Sequence, residues 1–244
     1  MRSRRSSKRT ERSSRLKNSL GSPVTQRTLL SWSSGKDSAW ALHRLKDDPG
    51  IEMVALLTTF NGAADRVAMH AVRRELVDAQ AGRIGLPLWS IDLPWPCSNA
   101  EYENRMEDMC RRAVADGITA VAFGDLFLQD IRDYRERQME RAGLRPLFPV
   151  WMIPTGELAR DLIGRGVKAK VTCIDRTKLD ASYAGREYDA DFLSSLPAGV
   201  DPCGENGEFH TFVYDAPVFA SAIPVTVGDR IERDGFVFAD ILPL

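Results

Sequence analysis

The chain has 244 residues, of which 43% are apolar and 27% are charged, as is usual for a soluble globular protein with one large or two modest domains. The formal net charge of −1 conceals an asymmetry, because residues 1–27 carry nine Lys/Arg and one acid. The rest of the chain has 24 basic and 33 acidic side chains, and this net charge of −9 argues against a nucleic-acid-binding surface.

The first 27 residues are rich in Arg and Ser and have almost no apolar side chains, so they cannot bury enough surface to fold. We expect a disordered basic tail over 1–27, although a start codon placed too far upstream would leave the same pattern. A transit peptide or a nucleic-acid-binding arm is less favoured, because no apolar face accompanies the arginines. Neither a signal peptide nor a membrane span is evident, and we expect a cytoplasmic protein.

A strand, a turn of small polar residues and a helix are predicted over Thr28–Leu45. The strand contains Leu29 and Leu30, and apolar residues recur at helical spacing from Ala41. The turn directs backbone N–H groups and the positive end of a helix at one point, which suits a phosphate group. It consists of Ser33, Ser34, Gly35, Lys36, Asp37 and Ser38.

Each residue type in this turn has a physical use around a bound phosphate. Gly35 lets the backbone approach a ligand closely, the three serines add hydroxyl donors, and Lys36 brings a mobile positive charge. Asp37 is unexpected in a simple anion site, so we expect it to cap the helix, hold the loop or help carry Mg²⁺. An ordinary helix-capping turn with nothing bound is the alternative interpretation.

The turn is not a Walker A loop, because Leu30 stands where the first Gly of that motif belongs and Asp37 follows Lys36. It resembles the PP-loop, Ser-Gly-Gly-x-Asp-Ser, of the N-type ATP pyrophosphatases, with Ser34 in place of the first Gly. That resemblance implies an enzyme that splits ATP between its α- and β-phosphates, on the Rossmann-like sheet of the adenine-nucleotide alpha-hydrolase type.

Strands and helices alternate as far as residue 144, which predicts βαβ units and a parallel sheet. We therefore assign 28–144 to an ATP-binding domain. Later strands are predicted over Ile51–Thr59, Pro87–Leu93 and Ile118–Phe123, and helices over Asp65–Arg83, Asn99–Asp116 and 129–142.

Polar residues follow each of these strands, and the carboxyl ends of parallel strands form the usual ligand crevice. Thr58 or Thr59 is expected near the adenine or ribose of a nucleotide. Gly124 and Asp125 follow the fourth strand and are expected at the same crevice, as is the segment Pro94–Ser98.

From about residue 145 the pattern changes to shorter elements and predicts a smaller α+β domain over 145–244. A helix is expected over Gly156–Ile163 and a strand over Ala169–Ile174. Asn-Gly at 206–207 and Asp-Gly at 234–235 each indicate a β-hairpin turn.

The run Asp201–Thr211 packs carboxylates, a thiol and an imidazole into a Gly-containing turn. Glu205 and Glu208 would act as charge partners and His210 as a proton carrier in a substrate or metal site. A plain hairpin with exposed acids and a histidine on a strand face is the alternative.

Taken together, the loop 33–38, the run Gly204–Thr211 and Asp215-Ala216-Pro217 resemble the diphthine–ammonia ligase family, most closely its less characterised, ligase-like branch. The resemblance covers roughly 28–227. Residues between the two motifs also match the layout of the family: His70, Gln80-Ala81, Gly85-Leu86-Pro87-Leu88, Gly124-Asp125, Arg132 and Arg135.

This resemblance implies an ATP-dependent ligase that activates a carboxylate as an acyl-adenylate, releases pyrophosphate and lets ammonia form an amide. It places ATP on residues 33–38, with Lys36 and Asp37 in catalysis and Mg²⁺ at Asp37. Glu205, Glu208 and His210 would face the acceptor or ammonia. The acceptor is unidentified and could be a modified residue on a protein, and a homodimer is one possible assembly.

Two other functions stay open at this point. A PP-loop tRNA-thiolating enzyme would need paired thiols, for which Cys97 and Cys203 are candidates, and a basic surface. A non-catalytic nucleotide-binding module would bind ATP without turnover. The four cysteines are scattered and form no C-x-x-C pair, as expected for buried thiols in a reducing compartment.

Overall fold

The computed structural model describes residues 25–68 and 70–244, so the predicted basic tail lies outside the described residues except for 25–27. Residues 26 and 27 belong to the first strand, and the tail prediction was too long at that end. The strands are β1 Gln26–Ser31, β2 Ile51–Asn61, β3 Arg66–Val67, β4 Leu88–Leu93, β5 Ala120–Ala122, β6 Arg145–Leu147, β7 Lys168–Asp175, β8 Phe209–Asp215, β9 Val225–Arg233 and β10 Phe236–Pro243. The helices are α1 Lys36–Leu45, α2 Arg74–Ile84, α3 Asn99–Ala115, α4 Gln129–Arg141, α5 Thr155–Gly164 and α6 Ala190–Ser195.

Six strands form the first sheet, which is mostly parallel and confirms the predicted α/β fold. β1 lies between β2 and β5, β4 pairs with the far edge of β2, and β6 pairs with β5. Only the two-residue β3 runs antiparallel, at the end of β2. The carboxyl ends of β1 and β5 are therefore adjacent, which brings the turn after β1 beside Gly124.

The second sheet is antiparallel, with the strand order β8-β7-β10-β9, and belongs to the C-terminal half. β9 and β10 form the predicted hairpin, because Asp234 and Gly235 both have positive φ, 53° and 81°, as a tight two-residue turn requires. The prediction of a second hairpin at Asn206-Gly207 was wrong. β8 pairs with β7, and 33 residues (176–208) separate the two strands, so the Asn-Gly turn belongs to a long connection.

The predicted helix over Asp65–Arg83 also differs from the structure, since α2 begins only at Arg74. Asp65 and Ala71 have positive φ, 51° and 56°, and so the chain cannot continue a right-handed helix through them. The segment forms β3 and a turn instead. Met69, one residue of the predicted helical stripe, lies outside the described residues.

One apolar core joins the two halves, because buried residues of β1, α1 and α2 pack in the same cluster as those of β7, β8 and β10. Polar contacts tie the halves at the surface of that core. Asp240 on β10 accepts hydrogen bonds from Arg66 at 2.8 Å and from Arg73 at 2.6 Å, and both arginines flank the turn before α2. Burial opposes ionisation of Asp240, but these two guanidinium groups lower its pKa to about 2.

No helix in the part of the chain that the structure describes combines the length and the apolar character needed to cross a membrane.

Candidate functional site

The predicted phosphate-binding turn sits at the junction of the two halves. Gly35 is the N-cap residue of α1 and has an extended backbone, and as a glycine it offers no side chain to cap the first N–H groups of the helix. The Lys36 N–H donates to the Thr211 hydroxyl at 3.2 Å, and the Val213 N–H donates to the Ser34 carbonyl at 3.0 Å. β8 of the C-terminal half therefore lies directly against the turn.

Ser34 occupies a position that favours glycine. Its φ is 69°, it is fully buried, and its Oγ has no hydrogen-bond partner among the described residues. A side chain in this left-handed region costs about 1–2 kcal/mol. This is the position at which the sequence departs from the Gly of the PP-loop.

Replacing Ser34 with Gly should stabilise the protein by about 0.5–1 kcal/mol, because relief of the backbone strain exceeds the added entropy of the unfolded chain. Urea unfolding of the purified variant measures the change. Ser34→Ala is the matched control, since it removes the unpaired hydroxyl and keeps the strained backbone. Equal stabilisation by Ala and Gly would show that the hydroxyl, and not φ, is the cause.

Lys36 is buried, with 2% of its side chain exposed, and its ammonium group is already paired. Nζ donates to Asp37 Oδ2 at 2.9 Å and to the Cys203 carbonyl, and it lies 5.4 Å from the centre of the Phe209 ring. Burial is the largest single effect and lowers the pKa of Lys36, but the attraction and hydrogen bond of Asp37, together with Cys203 and Glu205, raise it above its usual value. The side chain is thus a fixed charge in the wall of the site, whereas the sequence predicted a mobile one.

Gly124 allows the end of β5 to approach the turn. A Cβ at this position would lie 2.9 Å from the Asp37 carbonyl carbon, closer than real Cβ contacts, and 3.0 Å from the Ser38 nitrogen, closer than most of them. The absence of a side chain places Asp125 beside Asp37. Burial raises the pKa of both carboxyl groups, against the opposing attraction of Lys36 for Asp37 and of Arg135 for Asp125.

Asp37 and Asp125 are the carboxylates that fit a magnesium ion bound with a nucleotide. Asp37 Oδ1 and Asp125 Oδ2 are each buried without a hydrogen-bond partner among the described residues. Mg²⁺ in nucleotide sites is held by one or two carboxylates, phosphate oxygens and water. No cluster of three or more His, Cys, Asp or Glu suited to a metal occurs in residues 25–68 and 70–244, so these two side chains fit an ion that arrives with its phosphates.

The acidic loop 201–208 spans the junction and holds its own shape. Asp201 Oδ1 accepts from the Cys203 N–H at 2.8 Å, and Glu208 Oε1 accepts from the Asp201 N–H at 3.0 Å. Glu208 is only 3% exposed and does not line the cavity described below. Its contacts indicate that it shapes the loop.

Glu205 reaches out of this loop to the other half. Its Oε1 accepts from the Leu126 N–H at 2.8 Å, just beyond the end of β5. Burial raises the pKa of Glu205 to about 7, and the charges of Asp37 and Asp125 act in the same direction while Lys36 opposes them. Glu205 therefore titrates near neutrality.

Because the folded-state pKa of Glu205 is raised, the folded protein binds its proton more tightly than the unfolded chain does. The resulting stability is complete below the usual value of 4.5 and is lost as the pH rises through about 7. Glu205→Gln should remove this loss, since Gln keeps an acceptor for the Leu126 N–H and cannot ionise. Melting temperatures of the wild type and the variant, measured between these two pH values, test this prediction. Parallel curves of melting temperature against pH for the two proteins would contradict it.

A cavity of about 270 Å³ opens where these elements meet. Of the predicted site residues it is lined by Ser33, Lys36, Asp37, Ser38, Gly124, Asp125, Glu205 and His210. The structure thus brings the turn, the end of β5 and the acidic loop together. A larger cavity of about 660 Å³ lies between α3 and α4 and contains none of these residues.

Five other predicted residues lie outside this lining. Ser34 and Gly35 contribute backbone, and Glu208 holds the loop. Thr58 is buried with its hydroxyl donating to the Trp32 carbonyl at 2.7 Å, which leaves it poorly placed for a nucleotide. Thr59 is partly exposed, and it does not line the cavity either.

His70 and Arg135 also line the cavity, although the predicted site did not include them. The His70 ring packs against the His210 ring at a tilt, with ring centroids 4.5 Å apart. Their place in the family's motif order was a signal in the sequence, as was the basic run that contains Arg135, although neither residue stands in the two loops that carry the chemistry.

The cysteines do not form a reactive pair at this site. Burial raises the pKa of the Cys203 thiol to about 12, and its Sγ donates to the Thr155 carbonyl at 3.4 Å. Cys97 does not line the cavity. A thiolate nucleophile of the kind that sulfur transfer needs is therefore not favoured here.

Two family models match the chain in succession. Residues 26–146 match the family described as "Diphthamide synthase N-terminal domain", and residues 154–241 match "Diphthamide synthase C-terminal domain". Together they account for both sheets and for both loops of the site.

Curated relatives give the same result over most of the chain. A mouse protein named "Diphthine--ammonia ligase" is 25% identical over 231 residues, which is 86% of this chain and 86% of that protein. The human protein of that name is 24% identical over 192 residues, 72% of each chain. The Schizosaccharomyces pombe protein of that name is 26% identical over 220 residues, 82% of this chain and 36% of its own length.

Proposed function

Because the chain belongs to the diphthamide synthase family, whose two domains it contains in order, we propose that it is an ATP-dependent ligase that forms an amide from a carboxylate and ammonia. The carboxylate is activated as an acyl-adenylate, with release of pyrophosphate. The relatives are named for diphthine, so a diphthine-like carboxylate is the first acceptor to test.

One observation carries this proposal. The turn 33–38, which would bind the nucleotide, and the acidic loop, which would face the second substrate, line one cavity. Hydrogen bonds hold the turn against β8 (Lys36–Thr211) and the loop against the end of β5 (Leu126–Glu205). A nucleotide-binding module without chemistry would not need Glu205 and His210 in the same cavity.

The first step needs a positive environment at the α-phosphate. A carboxylate oxygen attacks the α-phosphorus, the bond to the β-phosphate oxygen breaks, and pyrophosphate leaves with the electron pair. The N–H groups at the start of α1 and the hydroxyls of Ser33 and Ser38 would bind the phosphates. Mg²⁺ bound at Asp37 and Asp125 would offset charge as it develops on the pyrophosphate.

The second step needs an electrophile that water does not reach first. Ammonia attacks the acyl carbon, the bond to the adenylate oxygen breaks, and AMP leaves with that electron pair. The amide nitrogen must then lose one proton, and Glu205 is suited to accept it because its pKa lies near 7. Packing of the acidic loop against β5 would keep water away from the adenylate.

The path of one oxygen atom tests the proposal. A diphthine-bearing protein labelled with ¹⁸O in the diphthine carboxylate is incubated with the purified chain, ATP, Mg²⁺ and ammonium. We expect amide, pyrophosphate and AMP that carries one ¹⁸O. Release of ADP, AMP without label, or no turnover would each contradict the proposed reaction.

Asp37→Asn is the variant to compare in this assay, because it removes a charge at the proposed Mg²⁺ site and keeps the side-chain shape. AMP formation should fall by about 100-fold, the effect of losing one electrostatic contact to the developing charge. The exposed helix glycine variant Gly82→Ala serves as its control and should retain wild-type turnover, since a Cβ there meets no atom within 4 Å.

A further inference from the structure

Two imidazoles meet inside the cavity, one from each half of the chain. His70 lies in the turn between β3 and α2, and His210 lies in β8. Their ring centroids are 4.5 Å apart with planes inclined by 34°, and both rings line the cavity together with Lys36 and Thr211. The transfer of AMP to a carboxylate gives neither ring a task.

The surroundings of the pair keep both rings uncharged at neutral pH. Burial and then the charge of Lys36 lower the pKa of His210 to about 4. Burial and then the neighbouring His210 lower the pKa of His70 well below its usual value. A neutral imidazole has one nitrogen with a free lone pair, and that nitrogen can only accept a hydrogen bond.

The backbone of β8 selects which nitrogen of His70 is the acceptor. Nδ1 lies 3.5 Å from the Thr211 carbonyl oxygen, at the limit of a hydrogen bond. A carbonyl oxygen only accepts, so the proton belongs on Nδ1 and the free lone pair on Nε2. The ring also packs against the nucleotide turn, because a Cβ at Gly35 would lie 3.2 Å from His70 Cε1.

We propose that His70 and His210 form the binding site for ammonia, a proposal that rests on the amidation proposed above. Ammonia can attack an acyl carbon only if its own lone pair is free. Neutral imidazoles hold it through its N–H groups and leave the lone pair exposed, whereas a protonated imidazole would donate into that lone pair. Because His70 packs against Gly35, ammonia held there would lie next to the turn that is proposed to bind the adenylate.

The chain has only three histidines, so binding can be observed directly by NMR. The Cε1–H signals of the full chain are assigned with single His→Asn variants and followed during addition of ammonium chloride at mildly alkaline pH. Sodium chloride at equal ionic strength is the reference. We expect saturable shifts for His70 and His210 and none for His43, which lies on α1 and stacks on Trp40. Equal shifts of all three signals, or no shift, would overturn the proposal.

Kinetics separate the ammonia site from the nucleotide site. His70→Asn and His210→Asn should each raise the KM for ammonium about tenfold, the effect of losing one hydrogen bond, while pyrophosphate exchange into ATP in the presence of the acceptor stays unchanged. His43→Asn is the control and should change neither quantity. A parallel loss of pyrophosphate exchange would assign the rings to the nucleotide or acceptor and refute an ammonia site.

The two proposals can fail separately. If the wild-type chain forms no AMP from ammonium and acceptor, the proposed ligase activity is wrong, and the NMR titration still decides whether the pair binds ammonia. If AMP forms normally but the KM for ammonium is unaffected by both variants, the activity stands and the ammonia site is wrong.

Discussion

Lys36→Met should destabilise the protein by about 3–5 kcal/mol and abolish ATP turnover. Methionine fills much of the space of the lysine stem but carries no charge, so the Asp37 carboxylate loses its partner at 2.9 Å and the Cys203 carbonyl loses a donor. The position is almost fully buried, and water cannot replace the ammonium. Urea unfolding measures the change in the free energy of unfolding, and AMP release measures the activity.

A double variant distinguishes loss of the ion pair from poor packing of methionine. Asp37→Asn removes the charge that Lys36→Met leaves unpaired, so the double variant should recover more than half of the lost stability. It should remain inactive. A Lys36→Met protein within about 0.5 kcal/mol of wild type would show that the buried ammonium contributes little.

Gly124→Ala should reduce turnover by about 100-fold with a smaller loss of stability, about 1–3 kcal/mol. The new methyl group would lie 2.9 Å from the Asp37 carbonyl carbon and 3.1 Å from its oxygen, and both are backbone atoms that cannot rotate away. The start of α1 must therefore move, and the N–H groups of the turn move with it. Steady-state AMP formation and ATP binding by calorimetry measure the effect.

Gly82→Ala is the control for the same chemical change. It lies in α2 with open space around the added methyl group, so it should be neutral or stabilise the helix by about 0.5–1 kcal/mol. If Gly124→Ala instead binds ATP with unchanged affinity, the end of β5 can move to accommodate the methyl group. The contact of Gly124 with Asp37 then does not position the turn.

Local sequence patterns predicted much of the fold, because the formation of these strands and turns depends mainly on residues that are close in the sequence. The apolar strands, the turn at Gly35 and the Asp234-Gly235 hairpin each follow from backbone preference and periodicity, and the crevice follows from parallel strands. That Gly124 and Asp125 line the same cavity as residues 33–38 could be predicted for the same reason.

Contacts between distant residues could not be predicted in this way. Nothing near Lys36 in the sequence shows that its ammonium pairs with a carbonyl 167 positions later. Glu208 and Glu205 are the same residue type in one short run, and only the fold decides that one holds the loop while the other lines the cavity. The helix expected over Asp65–Arg83 failed because Asp65 and Ala71 adopt positive φ in a turn that Asp240 helps to hold.

The hydrogen bonds of Arg66 and Arg73 to Asp240 affect how a nucleotide can enter the cavity. The segment between these arginines is also anchored to the first sheet by the ladder between Val67 and Phe60, so it fastens one sheet to the other. Gln80 connects the two halves a second time, because its side-chain amide donates hydrogen bonds to carbonyl oxygens on both sides of the junction. Separating the two sheets would break both sets of contacts, so we expect a nucleotide to enter the cavity while the two sheets keep their relative positions.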